Sequence, residues 1–158
     1  MSYTLNFIFY LECIDKVDIL SCTASTTHSD DNKCEFAYDG NPTTGWAADT
    51  HGSGVWIRVS FGRVHNVERI LIKPMSDQAT ESITEVLLEF LDEKTLEYSL
   101  NKYDGSWNEV VLANLVISNF VKIIGKTVNG KDNNGFDEIE VFGCILGSLY
   151  INIFIIII

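Results

Sequence analysis

Runs of alternating side chains, each cut short by turn residues, constrain this chain more than any other feature. In residues 55–61 (VWIRVSF), Val55, Ile57, Val59 and Phe61 point one way, and Trp56, Arg58 and Ser60 point the other. A period of two belongs to an extended strand with one buried face, because successive side chains leave a strand on opposite sides. Residues 67–73 (VERILIK) put Ile70 and Ile72 on one face. Residues 119–124 (NFVKII) and 138–142 (EIEVF) repeat the pattern, with Ile139 and Val141 alternating against Glu138 and Glu140. Between the runs stand Asp39-Gly40-Asn41-Pro42, Gly52-Ser53-Gly54, Asp104-Gly105, Asn129-Gly130 and Asn134-Gly135. Each supplies a residue at ease with positive φ or a preset turn. Short strands punctuated in this way predict a β-sandwich or barrel.

Residues 83–98 (ITEVLLEFLDEKTLEY) admit two readings. Their composition is rich in helix formers, and Ile83, Leu87 and Leu91 fall at helical spacing. As strands, Val86, Leu88 and Phe90 share a face. A turn follows at Asp92-Glu93-Lys94, and then Leu96, Tyr98 and Leu100 share a face. The two-strand reading is preferred, because every neighbour is a strand and a lone helix here lacks a cap and a partner.

Composition narrows the function. A chain of 158 residues with 46% hydrophobic and 21% charged residues has the material for one globular domain. A net charge of −11 repels phosphate backbones and anionic lipid surfaces, which sets nucleic acid and membrane lipid aside as partners. The same acidity suits a bound cation such as Ca²⁺. The sequence contains no G-x-S-x-G elbow, no H-E-x-x-H and no P-loop, and its three histidines are scattered at 28, 51 and 65. The chain is therefore read as a binding module and not an enzyme. Four cysteines, Cys13, Cys22, Cys34 and Cys144, form no C-x-x-C pair, and four cysteines allow three pairings. Residues 1–20 contain an apolar stretch at 5–11 that reads as a degenerate signal peptide. The apolar tail, 146–158, is shorter than the roughly 20 residues of a membrane span. It reads as artefactual or as a truncated membrane segment. The domain proper is placed at 21–145.

Within that domain four pieces fall in a familiar order. Ala24-Ser25-Thr26 is similar to an "A-S-S" first strand. Ala37 to Trp46 (AYDGNPTTGW) is similar to the opening "A-x-D-G-x-x-x-T-x-W". Val55 to Gly62 (VWIRVSFG) is similar to "W-I-x-V-D-L-G", with Ser60 in place of the usual acidic residue. Gly135 to Gly143 (GFDEIEVFG) is similar to the closing "E-I-x-V-F/Y-G". Together, over roughly residues 22–144, they resemble the discoidin family, also called the coagulation-factor type C family, whose fold is galactose-binding-like. The resemblance implies an all-β, eight-stranded antiparallel jelly-roll sandwich that binds its ligand through loops at one end.

The resemblance also implies a site. In glycan-binding relatives the Asp39 turn wraps a structural Ca²⁺. Carried over by motif, Asp39 and Glu138 supply carboxylates, and Thr44 its hydroxyl and carbonyl. Phe36, Asn41 and Asp137 supply backbone carbonyls. The simpler reading of Asp39 to Pro42 is a β-turn closed by the Asp side chain. Many discoidin domains tie their first and last strands with a disulfide, which implies Cys22 to Cys144. Cys13 and Cys34 are then left to pair or remain free. The fold makes 26–33, 46–54, 73–80, 103–108 and 129–136 the ligand loops, with Asp49, His51, Lys73, Trp107 and Asn134 as contacts. Trp46 and Trp56 are expected to pack within the sandwich. The expected function is an extracellular, secreted, lectin-like or cell-adhesion module for a glycan or glycoprotein on a cell surface or matrix. The alternatives are a protein- or phospholipid-binding module of the same fold and the targeting domain of a larger extracellular enzyme.

Overall fold

The alternation at 55–61 forms the first half of a strand much longer than the sequence pattern suggests. In the computed structural model, which describes residues 15–49, 53–75, 83–91, 93–101, 106–128 and 134–145, seven antiparallel strands appear. They are β1 (Ser21–Ala24), β2 (Trp46–Ala47), β3 (Trp56–Pro74), β4 (Ile83–Glu89), β5 (Thr95–Ser99), β6 (Asn108–Val128) and β7 (Gly135–Ile145). Two 3-10 turns, Asp30–Asn32 and Cys34–Ala37, lie between β1 and β2.

The expected all-β sandwich is present, with seven described strands in place of eight. Two of them, β3 and β6, each serve both sheets. The first half of β3 pairs with β1 (Thr23 opposite Arg58) and with the second half of β6 (Arg58 opposite Lys122). On its other side that part of β6 carries β4 and then β5. The second half of β3 pairs with β7 (Ile70 opposite Val141) and with the first half of β6 (Ile70 opposite Val110), and β2 closes against β7. The register of β3 against β6 shifts between Ser60 and His65. Gly62 sits in that irregularity at φ +66, where a side chain would be strained. The runs 55–61 and 67–73, which read as two strands, are thus one strand turning a corner.

The inward faces are those the alternation predicted. Ile57, Val59, Val86, Leu88, Val121 and Ile123 meet Ile70, Ile72, Val110, Ile139 and Val141 in one buried cluster. Residues 83–98 are two strands. Val86, Leu88 and Phe90 are buried, and the chain reverses at Glu93, whose φ is 59 and whose amide donates to the Phe90 carbonyl at 3.2 Å. Leu96 is the exception on its face, being exposed at the sheet edge.

The two halves of β3 bring both of its ends to one end of the sandwich. The Ser25 amide donates to the Trp56 carbonyl at the start of β3, and Pro74 at its finish lies opposite Phe136. Phe136 stacks on Trp46, centroids 5.9 Å apart, and the Trp46 indole donates to the Thr26 carbonyl at 3.0 Å. We call this the loop end and the opposite one, around Phe61 to His65, the corner end. Trp46 is fully buried as expected, whereas Trp56 lies half-buried on the outer face of the first sheet under the Lys122 ammonium.

Two sequence expectations are corrected here. Asn134-Gly135 is no exposed turn: both residues are buried, and the Ala48 amide donates to the Asn134 carbonyl. A Cβ on Gly135 would run into the Trp46 carbonyl. Gly135→Ala is expected to cost about 1–3 kcal/mol by forcing backbone apart, as read by denaturant unfolding. The disulfide implied between Cys22 and Cys144 is also replaced. Cys22 bonds Cys34, with Cα atoms 6.0 Å apart, which ties β1 to the second 3-10 turn. Cys144 is disulfide-bonded as well. The partner differs because β1 pairs with the first half of β3, whereas Cys144 lies opposite Asn66 in the second sheet. Closing 12 residues contributes about 3 kcal/mol in the chain-entropy model. A Cys22→Ala, Cys34→Ala pair is expected to lose about 2–3 kcal/mol in urea unfolding and still fold.

Candidate binding site

The loop end is built on the strand ends just described. Thr26 is its hub. Its carbonyl receives the Trp46 indole, and its hydroxyl accepts the Asp49 amide at 3.1 Å. The His28 amide donates to the Ala47 carbonyl at 2.9 Å. These bonds join the loop after β1 to the loop after β2 and place the His28 Nδ1 3.4 Å from the Asp49 carboxylate. The side chains stay in water, 43% and 65% exposed. An imidazole face and a carboxylate held side by side on a bonded frame can hold a sugar, one against its C–H face and the other on its hydroxyls.

The expected contacts therefore divide. Asp49 stands in the exposed pair. His28 was missed as a contact, although its loop was marked; nothing in a lone histidine tells which aspartate folds beside it. Trp107, half-buried, precedes Asn108, which lies opposite Ile72 near the same end. His51 lies outside the described residues. Asn134 is fully buried and supports the frame instead of facing a ligand. Lys73 is also turned inward. Its side chain is only 12% exposed, its ammonium donates to the Pro42 carbonyl at 3.3 Å, and it lies 3.5 Å from the Asp137 carboxylate. Lys73 binds the Asp39 loop to β7.

That loop makes the second part of the site. The Asp39 carboxylate accepts the Asn41 amide at 2.8 Å and the Thr44 hydroxyl at 2.9 Å, and the same hydroxyl reaches the Asn41 carbonyl at 2.9 Å. Phe36 lies in the 3-10 turn leading into the loop. The loop lies against the start of β7, where Asp137 and Glu138 are both buried. Glu138 is hydrogen-bonded to the Asp39 side chain, so sequence positions 39 and 138 do meet. Burial and the adjacent Asp39 push the Glu138 carboxyl up to about 7. Its Oε1 is buried without a hydrogen-bond partner.

A buried acceptor without a donor is costly. Two carboxylates sharing a site ionise together only at a cost, which a cation between them removes. Residues Asp39, Asn41, Thr44 and Glu138 therefore fit a hard cation with oxygen ligands, and Ca²⁺ accepts carboxylates, carbonyls and hydroxyls in flexible numbers. The other cluster of potential ligands among the described residues is Cys22, Cys34 and Glu35, but there both sulfurs are already committed to the disulfide.

The F5/8 type C domain model matches residues 21–139. The chain belongs to the F5/8 type C family. Domains of this family are non-catalytic binding modules, and the chain is one. Solved structures share the fold. A family 32 carbohydrate-binding module of C. perfringens NanJ, in complex with galactose, aligns with TM-score 0.68 at 17% identity over 77% of this chain and 92% of that one. A second module from Clostridium perfringens, in complex with GalNAc-beta-1,3-galactose, gives 0.67 at 20% identity over 78% and 94%. Chitosan-binding module 1 of a chitosanase/glucanase from Paenibacillus sp. IK-5 gives 0.63 at 20% identity over 78% and 94%. No curated protein matches the sequence. The F5/8 type C match covers both the His28–Asp49 pair and the Asp39–Glu138 corner.

Proposed function

We propose that this F5/8 type C domain is an extracellular carbohydrate-binding module that holds a sugar at its loop end, beside a Ca²⁺-braced Asp39 corner. The observation that carries the reading is the exposed His28–Asp49 pair, fixed by backbone and Thr26 bonds at the end of the sandwich. Structures of the same fold are known with galactose and with GalNAc-beta-1,3-galactose, which makes such sugars the first to try. The disulfides suit an oxidising compartment.

Bound Ca²⁺ would supply positive charge between the Asp39 and Glu138 carboxylates. Asn41 and Thr44 would add oxygen ligands, and Lys73 would keep the loop closed over β7. The sugar would then meet a frame already set before it arrives, which lowers the ordering cost of binding. The glycan reading is favoured over a phospholipid one. Of the large hydrophobic side chains exposed among the described residues, Leu20, Leu91, Leu115 and Ile145 stand at the corner end, not around His28. A glycan array in calcium tests the reading, with liposome flotation beside it. Retention of one class of neutral or amino sugar is expected, and binding to vesicles with no sugar retained would reject it.

A further inference from the structure

The loop that carries His28 is closed at its base by the Cys22–Cys34 disulfide. Its two legs are held in different ways. On the outgoing leg, hydrogen bonds reach the rest of the domain. The Ser25 amide donates to the Trp56 carbonyl, and the Ser25 hydroxyl accepts the Trp56 amide. The bonds of Thr26 to Trp46 and Asp49 follow, and then that of the His28 amide to Ala47. Beyond His28 such bonds stop. The Ser29 hydroxyl accepts the Asp31 amide and donates to the Asn32 side chain, whose amide donates to the Ser29 carbonyl. Lys33 pairs with Asp30, and its carbonyl accepts the Phe36 amide. Among the described residues, the arch from Ser29 to Lys33 therefore bonds only within 29–36. Packing does not hold it either, because the first 3-10 turn, Asp30–Asn32, buries no residue. The chain is next fixed to the domain at the Cys34 sulfur and then at Ala37, which is fully buried.

We infer that the Cys22–Cys34 disulfide is the latch that positions this arch beside the sugar and so sets the affinity of the loop-end site. The inference rests on the sugar-binding reading of that site. His28 is where the bonded leg ends and the arch begins, so its imidazole is carried on the boundary between a fixed backbone and one that only closure keeps in order. With the disulfide in place, the stretch without outside anchors is 29–33. With it open, that stretch runs on to 29–36, up to buried Ala37. Each backbone set free has to be ordered again when a sugar binds, and that ordering is taken from the affinity. The strands do not depend on the latch in the same way. β1 keeps its pairing with β3, from Ser21 opposite Ser60 to Ala24 opposite Ile57. Cys22 and Cys34 are thus positioning residues, acting on the ligand through the arch.

The test compares the full chain with three variants by titration calorimetry, using the sugar that the parent retains, and by amide hydrogen exchange. Cys22→Ala with Cys34→Ala opens the latch. Asn32→Gly keeps the disulfide and loosens the arch from within. Val86→Ala removes volume from the buried face of β4 and lowers stability without touching the bonds of the loop end. The double variant is expected to bind about five- to tenfold more weakly, with faster exchange at the Asn32 and Phe36 amides. Asn32→Gly should shift affinity in the same direction, and Val86→Ala should bind like the parent. Parent-like affinity in the double variant or in Asn32→Gly would overturn the inference. So would an equal loss in Val86→Ala, since affinity would then follow stability and not the arch. A parent that retains no sugar at all would instead bring down the reading of the loop-end site, and this inference with it.

Discussion

In a calcium chelator, the stability of the domain is expected to fall as the pH rises from about 4.5 to about 7, and added Ca²⁺ is expected to reverse that fall. The sign follows from Glu138. Its carboxyl, ordinarily near 4.5, is pushed up to about 7 in the folded domain by burial and by the neighbouring Asp39. Between those values the folded state holds a proton that the unfolded chain has released, so raising the pH favours unfolding. Below 4.5 both states hold the proton and stability is highest on this account. Above 7 both have lost it and the loss is complete. Allowing for solvent screening at the edge of the loop, the effect is of order 1–2 kcal/mol. A cation between Asp39 and Glu138 favours the ionised pair, so the difference in melting temperature between calcium and chelator should widen with pH. Glu138→Gln is expected to flatten the chelator profile and to remove most of the calcium response. Asp39→Ala should remove the calcium response too. Superimposable melting curves in calcium and chelator at pH 7.5 would rule the metal out.

Sugar affinity is expected to drop by more than tenfold, about 1.4 kcal/mol or more, in either His28→Ala or Asp49→Ala, with melting almost unchanged. Both side chains are largely exposed, and it is the Asp49 amide, not its carboxylate, that bonds Thr26. The backbone bond survives the substitution, and so does the loop. Lys73→Gln is expected to behave the opposite way. It strips a nearly buried carboxylate, Asp137, of its cation and releases the Pro42 carbonyl, so stability should fall first. Titration calorimetry with the retained sugar, run beside thermal melts, separates the two patterns. An Asp49→Ala protein that binds as tightly as the parent would place the sugar elsewhere.

These contrasts show where sequence reading succeeds. The strands were legible because alternation is local: Ile57 and Val59 or Val86 and Leu88 are two residues apart and share a face whatever the rest of the chain does. The family motif likewise carried Asp39 and Glu138, 99 positions apart, to one corner, where the structure joins them. Three things were not legible. A strand that bends keeps its alternation on both sides of the bend, so β3 reads as two strands until His65 is seen to pair with Ser118 and Ile145 at once. Cysteine pairing depends on which strands become neighbours, and Cys22 faces the turn at Cys34. A lysine, an asparagine and a histidine in loops look equally ready for a ligand. Only burial sends Lys73 and Asn134 inward and leaves His28 beside Asp49.

The strands that pass from one sheet to the other also bear on cooperativity. Because β3 and β6 are the central rungs of both layers, neither layer can detach while the other persists. Amides such as those of Val59 and Ile70, which lie in different layers, should exchange with deuterium through the same global opening. A ligand that tightens the loops would then slow exchange along the whole length of these two strands, out to the far corner. Protection at that corner becomes a readout of occupancy without any label at the sugar.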